Sequence, residues 1–179
     1  RGVYHWEYFS VGFAVGGFDA SKGSTLDLLR VTGDSTRVYT AGTEKGFAVS
    51  NINTTTSDNY LFVNPKNVFL GQKSGNSIEN GEYNIFIGHN SGLNTQGIEQ
   101  YYGSYNTFIG YETGLFNNSG SHNTFLGYQS GYNNLDAWSN VFLGSYSGYD
   151  NQTGEYNTFV GISSGVNNST GNHNVAIGN

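Results

Sequence analysis

Asn106-Thr107-Phe108-Ile109-Gly110 is the stretch that decides how this chain is read. The phrase Asn-x-Phe-[Leu/Ile/Val]-Gly, followed three residues later by Ser/Thr-Gly, begins at Asn67, Asn84, Asn106, Asn123, Asn140 and Asn157. A last copy begins at Asn174, with Ala176 where the others have Phe. The steps are 17 residues, except for 22 between Asn84 and Asn106, which is one period plus an insertion of five. A short fixed period over more than half of a chain is the mark of a solenoid.

Each run is β in character. Two or three β-branched or bulky apolar residues stand together, glycine closes the run, and Asn, Gly, Ser and Thr fill the rest of the period. No stretch has apolar residues at helical spacing. The sequence predicts an all-β fold, a parallel β-solenoid (β-roll or β-helix) with 17-residue coils. Seven rungs at the inter-strand spacing make a rod of roughly 34 Å. Identical positions then stack on themselves. The Asn column is expected to form an amide ladder, each side chain bonding the next, and the Phe column an aromatic stack. The repeated glycines suit sites of positive φ or close backbone approach.

Composition narrows the function classes. With 27 Gly, 16% aromatic and only 11% charged residues, the chain is unlike a disordered segment. The absence of cysteine excludes disulfides and thiolate metal sites. No run of about 18 apolar residues exists, so no membrane insertion is expected in this segment. After Lys73 there are acidic residues but no Lys or Arg. Such a surface repels phosphate, so nucleic acid and anionic lipid are poor partners. The chain begins without Met and ends inside a rung, and is expected to be a segment of something longer.

Two regions follow from texture. Residues 1–63 read as irregular β coils with two Gly-Phe-Ala-Val units, at Gly12 and Gly46, and residues 64–179 as the regular solenoid. Val31–Tyr39 aligns with Val63–Gly71, 32 residues on. Asn is absent before residue 51 and frequent after it. Pro65 is expected at the start of its strand, where a missing donor costs least.

Strand alternation sets Thr107 and Ile109 on one face and Phe108 on the other, so both faces are apolar. One buried face suffices for a single coil. The expectation is that Ile109 and its equivalents point inward with Thr107, Thr124 and Thr158, and that the Phe column lines an inter-chain interface or a shared axial core of a homotrimer; the alternative is a monomer with a wide interior filled by Phe.

At Asn174-Val175-Ala176-Ile177-Gly178 the chain resembles the head repeats of trimeric autotransporter adhesins, which are trimers of left-handed parallel β-rolls. The Asn-x-Phe-Leu/Ile-Gly rungs are also similar to repeat regions of bacterial surface proteins and of phage-like or injection-system tail fibres. The resemblance covers about two-thirds of the chain. It implies a structural or adhesive segment of an extracellular fibre, at a bacterial cell surface or on a tail fibre that recognises a cell-surface glycan.

No catalytic or nucleotide motif appears, and no enzyme activity, cofactor or metal is expected. His122 and His173 share a position three coils apart, and Glu82 and Glu155 one four coils apart, too far for a metal or a glycosidase pair. Residues beside the rung (Tyr83, Tyr105, His122, Tyr156 and His173 before it, Tyr111, Tyr128 and Ile162 after it) form columns whose exposed rings can stack on sugars, and the preferred reading is that they shield edges. The largest departures from the repeat are the insertion, with Glu99, Gln100, Tyr101 and Tyr102, and the return loop with Asp136 and Trp138. These six residues fall two coils apart on one edge and are the candidate carbohydrate-binding set.

Overall fold

The computed structural model describes residues 12–19, 24–32, 36–38, 47–53, 56–97 and 102–179, with side chains from Tyr60 onward. The described elements are all strands. They are β1 (Gly12–Asp19), β2 (Ser24–Thr32), β3 (Thr36–Val38), β4 (Phe47–Asn53), β5 (Thr56–Val63), β6 (Val68–Leu70), β7 (Ile85–Ile87), β8 (Thr107–Ile109), β9 (Thr124–Leu126), β10 (Val141–Leu143), β11 (Thr158–Val160) and β12 (Val175–Ile177).

The chain divides into two compact units, Arg1–Phe47 and Ala48–Asn179. In the first, β1, β2 and β3 form an antiparallel sheet, with a β-bulge between Val15 and Gly16. The described strands there pair as antiparallel hairpins. The 32-residue repeat is a repeat of one hairpin register. Val31 pairs with Thr36 as Val63 pairs with Val68.

In the second unit β5 turns antiparallel into β6, and from β6 to β12 every neighbour is parallel. Phe pairs with Phe at each step and Ala176 with Phe159. This is a parallel β-solenoid with 17-residue coils. The insertion leaves the register intact, since Phe86 still pairs with Phe108 across it. Pro65 lies in the β5–β6 turn and not in a strand. Asn64 Oδ1 accepts from the backbone N–H groups of Lys66 and Asn67, and proline at the second turn position presets the φ that this turn needs.

The Phe column is the interior of this chain. Phe69, Phe86, Phe108, Phe125, Phe142 and Phe159 are 0–4% exposed. Their rings stack at 4.7–5.1 Å, and Phe62 caps the stack at 5.7 Å. The expected assignment of faces is therefore reversed: Thr107 and Ile109 point outward. The cause lies across the coil, at Gly75, Gly92, Gly114, Gly131, Gly148 and Gly165. A Cβ at any of them would fall within 2.3–2.8 Å of the Phe ring of its own coil. The interior is one ring thick, and only glycine opposite the ring leaves that room.

Most of the rest of the interior is polar and paired, with Thr95 Oγ1 and Asn90 Oδ1 as buried exceptions. Asn106 Oδ1 accepts from the backbone N–H of Asn123, and its Nδ2 donates to the carbonyl of Gly120. The same two bonds recur at Asn67, Asn84, Asn123, Asn140 and Asn157. Each side chain thus clamps the backbone of the next coil, and does not bond the next amide as expected; only Asn174 Nδ2 reaches the amide of Asn157. An amide-to-amide ladder exists elsewhere, along Asn117, Asn134, Asn151 and Asn168, with bonds of 2.7–3.1 Å. Ser74, Ser91, Ser130, Ser147 and Ser164 donate to the carbonyl of the Phe-position residue one coil on. Buried polar groups are costly unless paired in this way.

Candidate functional site

Because Phe turns in, each strand presents its first and third residues outward. The outward pairs are Val68/Leu70, Ile85/Ile87, Thr107/Ile109, Thr124/Leu126, Val141/Leu143, Thr158/Val160 and Val175/Ile177. Leu70 and Leu126 are 47% and 48% exposed. Two apolar columns therefore run the length of the solenoid on its open side. The three outward threonines share one column with Val and Ile.

Rings flank these columns on both sides. Before the strand stand Tyr83, Tyr105, His122, Tyr156 and His173. Tyr83–Tyr105, Tyr105–His122 and Tyr156–His173 stack at 4.8–5.1 Å. After the strand stand His89, Tyr111 and Tyr128, stacked at 5.3–5.4 Å. A coil such as Tyr105-Thr107-Ile109-Tyr111 so forms one bar, and the bar repeats in the coils of β7, β8 and β9. Ser139 and Ser145 replace both rings in the coil of β10.

The residues before the strand are held in the left-handed backbone region: φ is 61° at Tyr83, 60° at Tyr105, 59° at His122, 58° at Ser139 and 57° at Tyr156 and His173. Bulky side chains are disfavoured there. The rings sit at these positions against local backbone preference.

A second aromatic corner was not singled out by sequence. Tyr128 meets Tyr146 edge-on, Tyr146 meets Tyr149, and Tyr149 stacks on Tyr132. The Glu112 carboxylate, hydrogen-bonded to the Tyr111 phenol, raises its pKa above the ordinary value. Desolvation raises those of Tyr128, Tyr132 and Tyr149. These phenols remain protonated donors through the neutral range. The signal that would have found them is the shared period: Tyr132 and Tyr149 are 17 apart, like the rungs.

Of the six candidate residues, Glu99, Gln100 and Tyr101 lie outside the described residues. Tyr102 is exposed and immediately precedes Gly103, whose N–H donates to the carbonyl of Ser119. The Ser119 hydroxyl donates to Asp136 at 2.7 Å. Tyr102, Ser119 and Asp136 thus occupy corresponding positions in successive coils. Trp138 is 43% exposed. Its Nε1 donates to the carboxylate of Glu155, one coil on, and its indole leans on Tyr156 at 6.1 Å and 43°. The partner of Glu155 is thus an indole and not a second carboxylate. Glu82 pairs instead with Lys66.

Among the described residues, no group of three His, Asp or Glu side chains comes together to hold a metal ion. No described helix is long and apolar enough to cross a membrane. No protein-family model, curated protein or solved structure matches the chain.

Proposed function

We propose that this chain is a structural and adhesive segment of an extracellular fibre, the shaft or head of a bacterial surface adhesin, assembled as a homotrimer. One observation carries the reading. After the Phe column has filled the interior, a second apolar face remains open along β6–β12, bordered by stacked rings. Monomers rarely expose continuous apolar patches above a few hundred Å². This face spans six coil steps, roughly 29 Å at the strand spacing. A second and a third copy of the same face, related by symmetry, are the simplest cover for it, since every coil then meets an identical coil. The assembly surface is accordingly the Thr/Val/Ile and Leu/Ile/Val columns, and not the Phe column.

The backbone supports a fibre role. Coil-to-coil hydrogen bonds and amide clamps run along one axis, the direction in which a shaft bears load. After Lys73 the chain offers no Lys or Arg to proteases that cut at basic residues. Those are properties suited to an exposed surface. A tail-fibre segment that recognises a cell-surface glycan is the second reading, favoured by the exposed Trp138 and Asp136.

Analytical ultracentrifugation tests the assembly. The chain is expected to sediment as a trimer at low micromolar concentration, and a Leu126→Lys, Ile109→Lys double variant as a folded monomer. A wild-type chain that is a stable monomer there overturns the homotrimer.

A further inference from the structure

The ring column before the strands is interrupted once among the described coils, at Ser139. Backbone bonds hold its neighbours in strict register. The N–H of Ser139 donates to the carbonyl of Ser121, and that of Tyr156 to the carbonyl of Trp138. His122 and Tyr156 are therefore two rungs apart, roughly 9.6 Å at the inter-strand spacing. His122 stacks on Tyr105 at 4.8 Å and Tyr156 on His173 at 4.9 Å, each on its far side from Ser139. A ring placed midway between them would face both at the spacing that the column itself uses.

Trp138 does not take that place. An indole there would lie parallel to both neighbours; it is instead tilted by 43° and 6.1 Å from Tyr156, and among the described residues it has no ring contact with His122. Its bond to Glu155 holds it at the side. The gap thus has two ring faces with Ser139 between them; the Glu155 carboxylate is bonded to the indole of Trp138, and Asp136 precedes that indole by two residues in the same coil. His122 and Tyr156 are held at positive φ, where a bulky ring such as Tyr156 is disfavoured.

We propose that this gap is a binding site for one neutral pyranose unit of a glycan. Its C–H faces pack between the His122 and Tyr156 rings, and its hydroxyls meet Ser139, Glu155 and Asp136. A flat apolar face with a polar edge is what a pyranose offers and what this slot complements. The two carboxylates, with no Lys or Arg in the chain after Lys73, set the charge preference: sialylated and sulfated sugars are repelled. The site belongs to a single chain. It deepens the adhesive reading above and rests on it, while assembly does not enter.

Saturation-transfer NMR on the full chain, with the methyl glycosides of glucose, galactose, N-acetylglucosamine and sialic acid, tests the proposal. At least one neutral glycoside is expected to bind and the sialoside not. Trp138→Ala is expected to weaken binding by about 3–10-fold, the effect of losing one aromatic contact. Ser139→Tyr supplies the missing ring, so it should abolish binding while the melting temperature stays the same or rises. If the wild type binds a neutral glycoside and Ser139→Tyr binds it equally well, the slot is not the site and the adhesive reading stands. Preference for the sialoside overturns the charge argument and with it the proposal. If none binds at millimolar concentration, the slot proposal fails; if a broad glycan array is also blank, glycan adhesion fails with it.

Discussion

A Cβ on Gly114 would lie 2.6 Å from the ring of Phe108 in the same coil. The two residues are the opposite walls of an interior one ring thick. From this relationship follow both the identity of the core and the exposure of the remaining apolar columns.

Gly114→Ala is expected to destabilise the chain by about 2–4 kcal/mol, because it overpacks the ring and forces alanine into a left-handed backbone. Ser145→Ala, on the outer side, should be near neutral. Urea denaturation of both variants measures the difference.

Asn123→Ala removes the acceptor for the buried N–H of Asn140 and the donor to the carbonyl of Ala137. The Ala137 carbonyl keeps its bond from Asn134 Nδ2, so one buried N–H is left unpaired, which should cost about 1–3 kcal/mol. Asn133→Ala breaks a partly exposed bond to Asp150 and should cost under about 1 kcal/mol. Equal losses in denaturation midpoint would show that the clamp carries no special weight.

Phe125→Ala should cost about 3–5 kcal/mol, since it opens a cavity in a continuous stack. Phe125→Asp should prevent folding altogether, through an unpaired buried charge. Tyr128→Ala removes an exposed ring and should lower the melting temperature only slightly. The contrast, read by circular dichroism on heating, checks which residues face inward.

The raised phenol pKa values of Tyr111, Tyr128, Tyr132 and Tyr149 give a signed pH dependence. The folded state binds these protons more tightly than the unfolded chain. Their contribution is fully present below the unfolded value of 10.0 and is lost as pH rises through the higher folded values. Tyrosinate absorbance should lag behind that of the urea-unfolded chain. Glu112→Gln should move the Tyr111 step back toward 10.0, because its carboxylate is the largest cause of that shift.

Much of the fold was legible because stacking gives every coil the same surroundings, so one environment is written repeatedly. The Asn-x-Phe-x-Gly period located all seven rungs, β6–β12, and identified the insertion before Gly103 as a loop that leaves the register intact. The faces were not legible from alternation, which makes both sides of Thr107-Phe108-Ile109 apolar. The deciding residue, Gly114, lies six positions from Phe108 and faces it only after the coil closes. The amide ladder was misplaced for a similar reason. Asn106 lies beside backbone groups of the next coil, whereas Asn117 lies beside an amide, and Thr95 in the preceding coil hides that column from inspection.

By itself, the sequence determined the coil length, the parallel register and the places where the repeat departs from itself. These depend on local residue choice multiplied by translation. Only the tertiary structure decided that Phe fills the interior, that the threonines face out, and that Trp138 leans on Tyr156 across a coil boundary. Each of these is a contact between residues that closure of the coil or stacking of coils brings together, and strand alternation carries no information about what lies across that closure.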